Sequence, residues 1–449
     1  MTKYIRRKYW KMTKIRKINI YLAVFGTALA GAELFGVSFG KICLFPMLIG
    51  LLLETKGKGC VNKNAKWLMC FYYCVIIGSA FGLISIRNNA FQKYSSKLLL
   101  NLIQYVCIYI PLLLMIGNAK VRKRYTNDFW QAIVCLARIE AIWGCLQFIM
   151  WNVFDFNLND FVFLDILHGQ LGSNWVSYSQ SFETGYLIRN LRISGLSFEN
   201  ALFGFVLLIG YLIDDNKLWK LFYSLMIILS LSRSSLVTLF IVVIYQLLHS
   251  DLKISKNTFL KIIGTILAII LVIIIGISDT DYLDLVLNQL SVFYSRFLEI
   301  KVLDKFSGSY RHLMYIPWCI YTWFITLNPF EKLFGVGLRT SGVAFNLVSS
   351  IKQYLPVGMQ NYAWAIECDV ADVLLGTGIC GLLSLYSFLI AKYKMIGDLK
   401  LKSFVICVLA FGLMYNVSSW NLTILMYIFI AQTETIMEDK YGRVIQKQD

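Results

Sequence analysis

The chain has 449 residues, 58% of them hydrophobic and 15% charged, with five prolines, a mean hydropathy of +0.63 and a formal net charge of +17. A soluble domain carries about 25% charged residues, and apolar runs of the roughly 17 to 25 residues that cross a bilayer recur from Ile18 to Ile430. A large soluble domain is excluded, and so is nucleic-acid binding as the reason for the charge, because the positive residues fall in short loops between apolar runs.

The basic lead (Lys3, Arg6, Arg7, Lys8, Lys11, Lys14, Arg16, Lys17) precedes an apolar run and "ALAG" at Ala28 to Gly31, which imitates a signal-peptidase site. The lead is overlong for a signal peptide and many more apolar runs follow, so a retained first span is expected. Spans are expected near residues 18–35, 38–53, 67–86, 98–117, 129–150, 198–213, 259–277 and 370–391. The eleven cysteines are scattered through these runs without CxxC or Cys/His spacing and read as small core residues. His168, His249 and His312 are too far apart in sequence to suggest a local metal motif.

Two apolar stretches, 218–248 and 403–431, hold about thirty residues each, too many for one upright helix and too few for two full ones. Loop charge decides between the options. Lys120 to Arg124, the group Lys253, Lys256 and Lys261, and Lys392 to Lys402 share the cytoplasmic side with the N-terminus only if 218–248 crosses twice. The stretch then turns at "SLSRSS" around Arg233, and by the same count the second turns at "NVSSWN" (Asn416 to Asn421). The expected fold is an all-α, polytopic helical membrane protein of about twelve transmembrane helices, one integral membrane domain with both termini inside. Two long extracytoplasmic loops, 151–197 and 278–369, cap it. Within the second, residues 283–303 (Leu283, Val286, Leu287, Leu290) and 311–327 (Trp318, Tyr321, Trp323) have helical apolar spacing and are expected along the membrane surface. "LFGVGL" (Leu333 to Leu338) reads as a tight glycine turn.

Charge collects on the outer side against the topological rule: Arg189, Arg192, Arg233, Arg296, Arg311 and Arg339, with Glu199, Glu367, Asp369 and Asp372 at or near outer helix ends. Arginine's planar five-donor fork suits phosphate and stays charged near lipid, so an anionic ligand at the membrane surface is expected. For Arg233 the competing reading is a structural pair with Glu199 or simple snorkelling; Arg189, Arg296 and Arg339 read more simply as surface charges. "DTD" (Asp279 to Asp281) is similar to the metal-binding Asp-x-Asp of nucleotide-sugar transferases, but an outer loop is a poor place to meet nucleotide sugars.

In order, "RISGLSFENALFG" (Arg192 to Gly204), "LSLSRSSLV", "SGSYRHLMYIPW" with "NPFEKLFGVGL", and "ECDVADVLLGTGICGLL" (Glu367 to Leu383) make the chain resemble the O-antigen polymerase and O-antigen ligase family over roughly residues 190–385. The family's ligases usually carry histidine where this chain has Glu367, so the resemblance tilts toward polymerase. It implies an enzyme of the bacterial cytoplasmic (inner) membrane, its active site facing outward, that joins polyprenyl-pyrophosphate-linked oligosaccharide repeat units of an O-antigen, capsule or exopolysaccharide.

An acceptor hydroxyl would attack the anomeric carbon of a donor glycan, with the lipid pyrophosphate leaving. Arg192, Arg233, Arg311 and Arg339 are the candidates for holding that pyrophosphate. Glu367 is the first candidate base and Glu199 the second, and Arg311 is a further candidate catalytic residue through its charge on the leaving pyrophosphate. Asp369, Tyr310 and Trp318, with Trp175, are candidate sugar contacts, although membrane-interface anchoring suits the aromatics equally. Arginines can supply the charge stabilisation often given by a divalent cation, so no metal or other cofactor is expected. Expected partners are the lipid-linked oligosaccharides and membrane lipids, with room for a chain-length regulator and a flippase. A ligase acting on a lipid or protein acceptor stays open as an alternative. So does a lipid-linked oligosaccharide flippase or transporter, for which Glu33, Arg138 and Glu140 are the intramembrane charges to explain.

Overall fold

The structure is a computed structural model and describes residues 2–29, 33–34, 37–60, 63–84, 91–154, 156, 158–160, 193–197, 199–230, 232–249 and 308–432. Arg189, Arg192, Trp175, Arg296, the "DTD" triplet, the expected span 259–277 and the expected surface helix 283–303 lie outside the described residues. Within them the protein is all-helical apart from a two-stranded antiparallel ladder, β1 (Glu33–Leu34) and β2 (Val37–Ser38), in which Glu33 faces Ser38.

That ladder closes a hairpin of α1 (Thr2–Ala28) and α2 (Phe39–Thr55). Their crossing is tight because both carry glycine there: a Cβ on Gly26 would lie 2.4 Å from the Cys43 Cβ, and one on Gly40 would lie 2.8 Å from the Gly26 carbonyl. α3 (Lys66–Ile84) falls almost where the sequence expects a span. α4 runs Tyr94–Ile116 through a π turn at Tyr105–Tyr109. The extra residue of such a turn re-aims side chains, and here Tyr72, Tyr105 and Tyr109 pack in the interior with ring centroids 5.1 Å apart for Tyr72–Tyr105 and Tyr105–Tyr109. α5 (Ala119–Phe154) begins earlier than the expected 129–150. Asn118 starts it by accepting the Lys120 amide at 3.1 Å, and the basic run that follows is made of good helix formers.

α6 (Asn200–Ile213) leads through Asp214 and Asn216 into α7 (Lys217–Leu229), whose first amides are capped by Asn216 Oδ1 at 2.9 and 3.4 Å. α8 (Arg233–His249) follows after a break, as the ambiguous stretch led us to expect. The serines make that break. Ser230 Oγ donates to the Ile227 carbonyl at 2.7 Å, closing one helix, and Ser232 Oγ accepts the Ser235 amide at 3.4 Å, opening the next. Serine competes with the helical backbone through such bonds, which is why it favours helix ends.

α9 (Gly308–Ile325) occupies the expected 311–327 helix, and α10 (Pro329–Phe334) is started by a capping box in which Asn328 Oδ1 accepts the Glu331 amide and Glu331 Oε2 accepts the Asn328 amide. α11 (Asp369–Met395), α12 (Leu399–Met414) and α13 (Asn421–Ala431) complete the bundle, so the second ambiguous stretch also divides, between Met414 and Asn421. Among the described residues four helices are long and apolar enough to cross a membrane: Lys66–Ile84, Tyr94–Ile116, Ala119–Trp151 and Asp369–Met395. Asn200–Ile213, Arg233–His249 and Asn421–Ala431 are apolar but shorter. Large side chains such as Leu53, Leu218 and Phe240 face outward, as lipid-facing positions do.

One continuous apolar core joins α1 to α8 with α11, α12 and α13. A second, aromatic core lies between α9, the segment 342–366 and the start of α11. Glycines lock the two together. α11 is kinked at Gly378 (φ 66°), which frees the Leu375 and Gly376 carbonyls to accept the Val336 and Gly337 amides, both at 2.9 Å. Gly335 (φ 77°) sits against that kink: a Cβ there would be 2.3 Å from the Gly376 carbonyl carbon. Only glycine takes such a φ without strain at so close a backbone approach.

Candidate functional site

The turn between α12 and α13, residues 415–420, gathers the polar residues of one end of the bundle. Asp369, buried at the start of α11, accepts the Val417 amide at 2.9 Å, the Ser418 amide at 2.8 Å and the Ser418 hydroxyl at 2.6 Å. Asp372, one turn further, accepts Asn416 Nδ2 at 2.7 Å and the Ser341 hydroxyl. Asn416 Oδ1 in turn accepts the Ser419 hydroxyl at 3.0 Å. A buried carboxylate is tolerated when its lone pairs are filled in this way. Asp369, a candidate sugar contact by sequence, therefore holds the turn.

Arg339 reaches the same turn from the loop after α10. It is one of three non-glycine residues of positive φ (64°) among those described. Its Nε donates to the Ser419 carbonyl at 2.8 Å, and its Nη2 donates to that carbonyl and to Asn421 Oδ1, the latter at 2.9 Å. Asn421 Oδ1 also accepts the Tyr109 hydroxyl at 2.7 Å. The loop carrying Arg339 is fixed from α4: Tyr94 Oη donates to the Val336 carbonyl at 2.8 Å and Asn101 Nδ2 to the Leu338 carbonyl at 2.6 Å. Arg339 thus spends its fork on the chain itself, where the sequence made it a pyrophosphate ligand.

Glu199 precedes α6 and accepts the Tyr415 hydroxyl, which brings the second candidate base to the edge of the same turn. Arg233, the first residue of α8, is exposed, while Ser232 and Ser235 beside it are buried with their hydroxyls 2.7 Å apart.

Glu367 stands outside this buried network but is held by it. Ser341 Oγ, which donates to Asp372, accepts the Ile366 amide at 3.2 Å. From α9, His312 Nε2 lies 3.1 Å from Glu367 Oε2, with the two side chains 41% and 38% exposed. Arg311 is the adjacent residue. The candidate aromatics are less open: Trp318 stacks on Tyr354 at 6.0 Å and is 7% exposed, and Tyr310 meets both at 6.1 and 6.2 Å. In this arrangement Trp318 gives its face to Tyr354.

Of the charges expected within the membrane, Glu140 and Arg138 have structural partners. Glu140 on α5 accepts the Leu196 amide and the Ser197 hydroxyl, both at 2.7 Å, and Gln147 Oε1 accepts the Ser194 and Gly195 amides, both at 3.2 Å. They clamp the "ISGLS" segment that follows Arg192. Gly195 (φ 59°) is required there, since a Cβ would meet Glu140 Oε2 at 2.1 Å. Arg138 grips Asp214 with Nε and Nη2 at 2.9 and 3.0 Å. Burial alone would raise the Asp214 carboxyl, but Arg138, the Asn216 amide and Tyr223 hold it below the ordinary carboxylate range.

Sequence reasoning missed His312, Ser341, Asn416 and the Ser418–Ser419 pair. Polar residues interrupting the apolar stretch 403–431 were the available signal for Asn416, Ser418 and Ser419; for His312 no local signal existed, because its partner lies far along the chain. No protein-family model matches the chain, and no curated protein matches it in sequence.

Proposed function

We propose that the protein is a polymerase that joins polyprenyl-pyrophosphate-linked oligosaccharide repeat units on the outer face of the bacterial cytoplasmic membrane. The observation that carries this reading is the exposed Glu367–His312 pair beside Arg311, fixed from below by the Asp372–Ser341 bond. A glycosyl transfer of this kind needs a proton acceptor for the attacking hydroxyl and fixed cations for the leaving pyrophosphate. Arg311 and Arg233 fill the second role and Glu367 with His312 the first, while Glu199 is placed beside Tyr415 as the alternative base.

An arrangement of about twelve crossings with both termini inside is supported by which residues bond to which. Ties at the expected outer end join Glu199 to Tyr415, Ser341 to Asp372 and Arg339 to Ser419. Those at the expected inner end join Arg16 to Asp128, Asp215 to Lys400 and Lys392 to the Ala431 carbonyl. Of the charges the flippase reading would draw on, Arg138 and Glu140 are engaged in holding neighbouring segments. A ligase would use the same chemistry on a different acceptor.

The test is extension of purified polyprenyl-pyrophosphate-linked repeat units by this chain alone in detergent. A ladder of products supports the polymerase. A single transfer to a lipid or protein acceptor supports the ligase, and neither product sinks the reading.

A further inference from the structure

We propose that His312 is the catalytic residue that takes the proton from the attacking sugar hydroxyl, with Glu367 as its positioning partner; this rests on the glycosyl-transfer reading above. Among the described residues, four carboxylates approach this end of the bundle. Asp369 and Asp372 are buried and filled by donors of the chain, and Glu199 accepts the Tyr415 hydroxyl. Glu367 keeps 38% of its side chain exposed, and the group facing it is an imidazole whose Nε2 is 3.1 Å from its Oε2.

The pair is held in place on both sides. The His312 ring meets Tyr315 edge-on at 5.3 Å, and Tyr315 is itself buried against Phe345, stacked at 6.2 Å, and Trp364 at 6.4 Å. On the other side, the backbone beside Glu367 is fixed by the Ile366 amide on Ser341 and by the Cys368 amide on the Ile366 carbonyl at 2.8 Å. A carboxylate that accepts one ring N–H sets the tautomer and leaves the other nitrogen with its lone pair. Glu367 on Nε2 therefore makes Nδ1 the basic atom. Glu367, before α11, faces this imidazole, and Arg311 on α9 stands beside the neighbouring Tyr315.

The step balances as follows. The acceptor oxygen forms a bond to the anomeric carbon, and the bond from that carbon to the pyrophosphate oxygen breaks with its electron pair on the leaving lipid pyrophosphate. The hydroxyl proton passes to His312 Nδ1, giving an imidazolium that Glu367 stabilises and that later releases its proton to water. Arg311, one residue before the imidazole, is the cation for the leaving group.

The experiment uses the full chain and purified polyprenyl-pyrophosphate-linked repeat units. His312→Gln keeps a donor toward Glu367 but has no basic nitrogen. It is expected to lower kcat by about 10²- to 10⁴-fold, as loss of a general base does, with KM within about twofold and detergent thermal stability unchanged. His312→Gly, which opens space, should recover at least about tenfold of rate with added imidazole. Glu367→Gln should cost less than His312→Gln, and the double variant should be no slower than His312→Gln. A His312→Gln enzyme within threefold of the parent kcat, or a His312→Gly enzyme that gains nothing from imidazole, overturns the proposal while the parent's ladder leaves the polymerase standing. No product from the parent chain overturns the polymerase reading, and the proposal falls with it.

Discussion

Ser341 joins Asp372 to the backbone of Ile366: its hydroxyl donates to the carboxylate and accepts the amide at 3.2 Å. One buried serine thus couples the floor of the site to the residue next to Glu367. Ser341→Ala leaves a buried carboxylate short of a donor and a buried amide short of an acceptor, each worth about 1–3 kcal/mol. The variant should melt measurably earlier in detergent and extend lipid-linked repeats more slowly. Ser350→Ala, on the exposed side of the same loop region, should do neither.

Much of this arrangement was legible in the sequence, for physical reasons. Helices of bilayer length announce themselves by composition, so α3, α4 and α11 fall near their expected places. The two doubtful stretches divide where serine and asparagine interrupt them, because those side chains compete for the backbone's hydrogen bonds and favour helix ends. What stayed hidden was pairing across long separations. Arg339 is indistinguishable in sequence from a ligand-binding arginine, and only the approach of residues 419–421 shows that its donors are taken. His312 looked isolated because its partner is brought in by the second core, through the packing of α9 against the start of α11.

Gly335→Ala should prevent accumulation of folded protein. A Cβ there sits 2.3 Å from backbone of α11 at positive φ, so strain of about 1–3 kcal/mol is added to an overlap that neither backbone can relieve. Gly57 is the control, with φ 71° and nothing within 4 Å of its Cβ position. Gly57→Ala should cost only the left-handed backbone penalty of about 1–2 kcal/mol, read as a modest shift in thermal stability.

The tyrosine cluster separates a paired hydroxyl from an unpaired one. Tyr109 donates to Asn421, whereas the Tyr105 hydroxyl is buried with no partner among the described residues. Tyr109→Phe should therefore destabilise by about 0.5–1.5 kcal/mol, while Tyr105→Phe should be neutral or stabilising. A Tyr105→Phe protein less stable than Tyr109→Phe would show that an ordered water serves the Tyr105 hydroxyl.

Sidedness is read with single cysteines in a cysteine-free background. Val357 is 84% exposed in the expected outer segment, and the Asp215 side chain is 88% exposed at the expected inner end. In intact cells an impermeant maleimide should label Val357→Cys and spare Asp215→Cys until the membrane is permeabilised. Labelling in the opposite sense would invert the proposed orientation and place Glu367 inside.

Arg233 and Arg339 should separate cleanly when each is changed to lysine. Lysine keeps the charge but loses the fork. Arg339 uses its fork on Ser419 and Asn421, so Arg339→Lys should lower thermal stability by about 1–3 kcal/mol, the cost of unmade buried hydrogen bonds, and slow extension in proportion to the loss of fold. Arg233 is exposed at the first residue of α8, where a helix N-terminus adds its own partial positive charge toward an anion. If it grips the leaving pyrophosphate, Arg233→Lys melts like the parent yet loses about 10²- to 10³-fold in rate, the usual worth of one preorganised donor. A structural pair with Glu199 predicts the reverse: Arg233→Ala destabilises, and adding Glu199→Gln restores both stability and rate, because the stranded charge is gone. An Arg233→Lys enzyme with parental stability and parental rate would remove this residue from the pyrophosphate site and leave Arg311 as its main cation among the described residues.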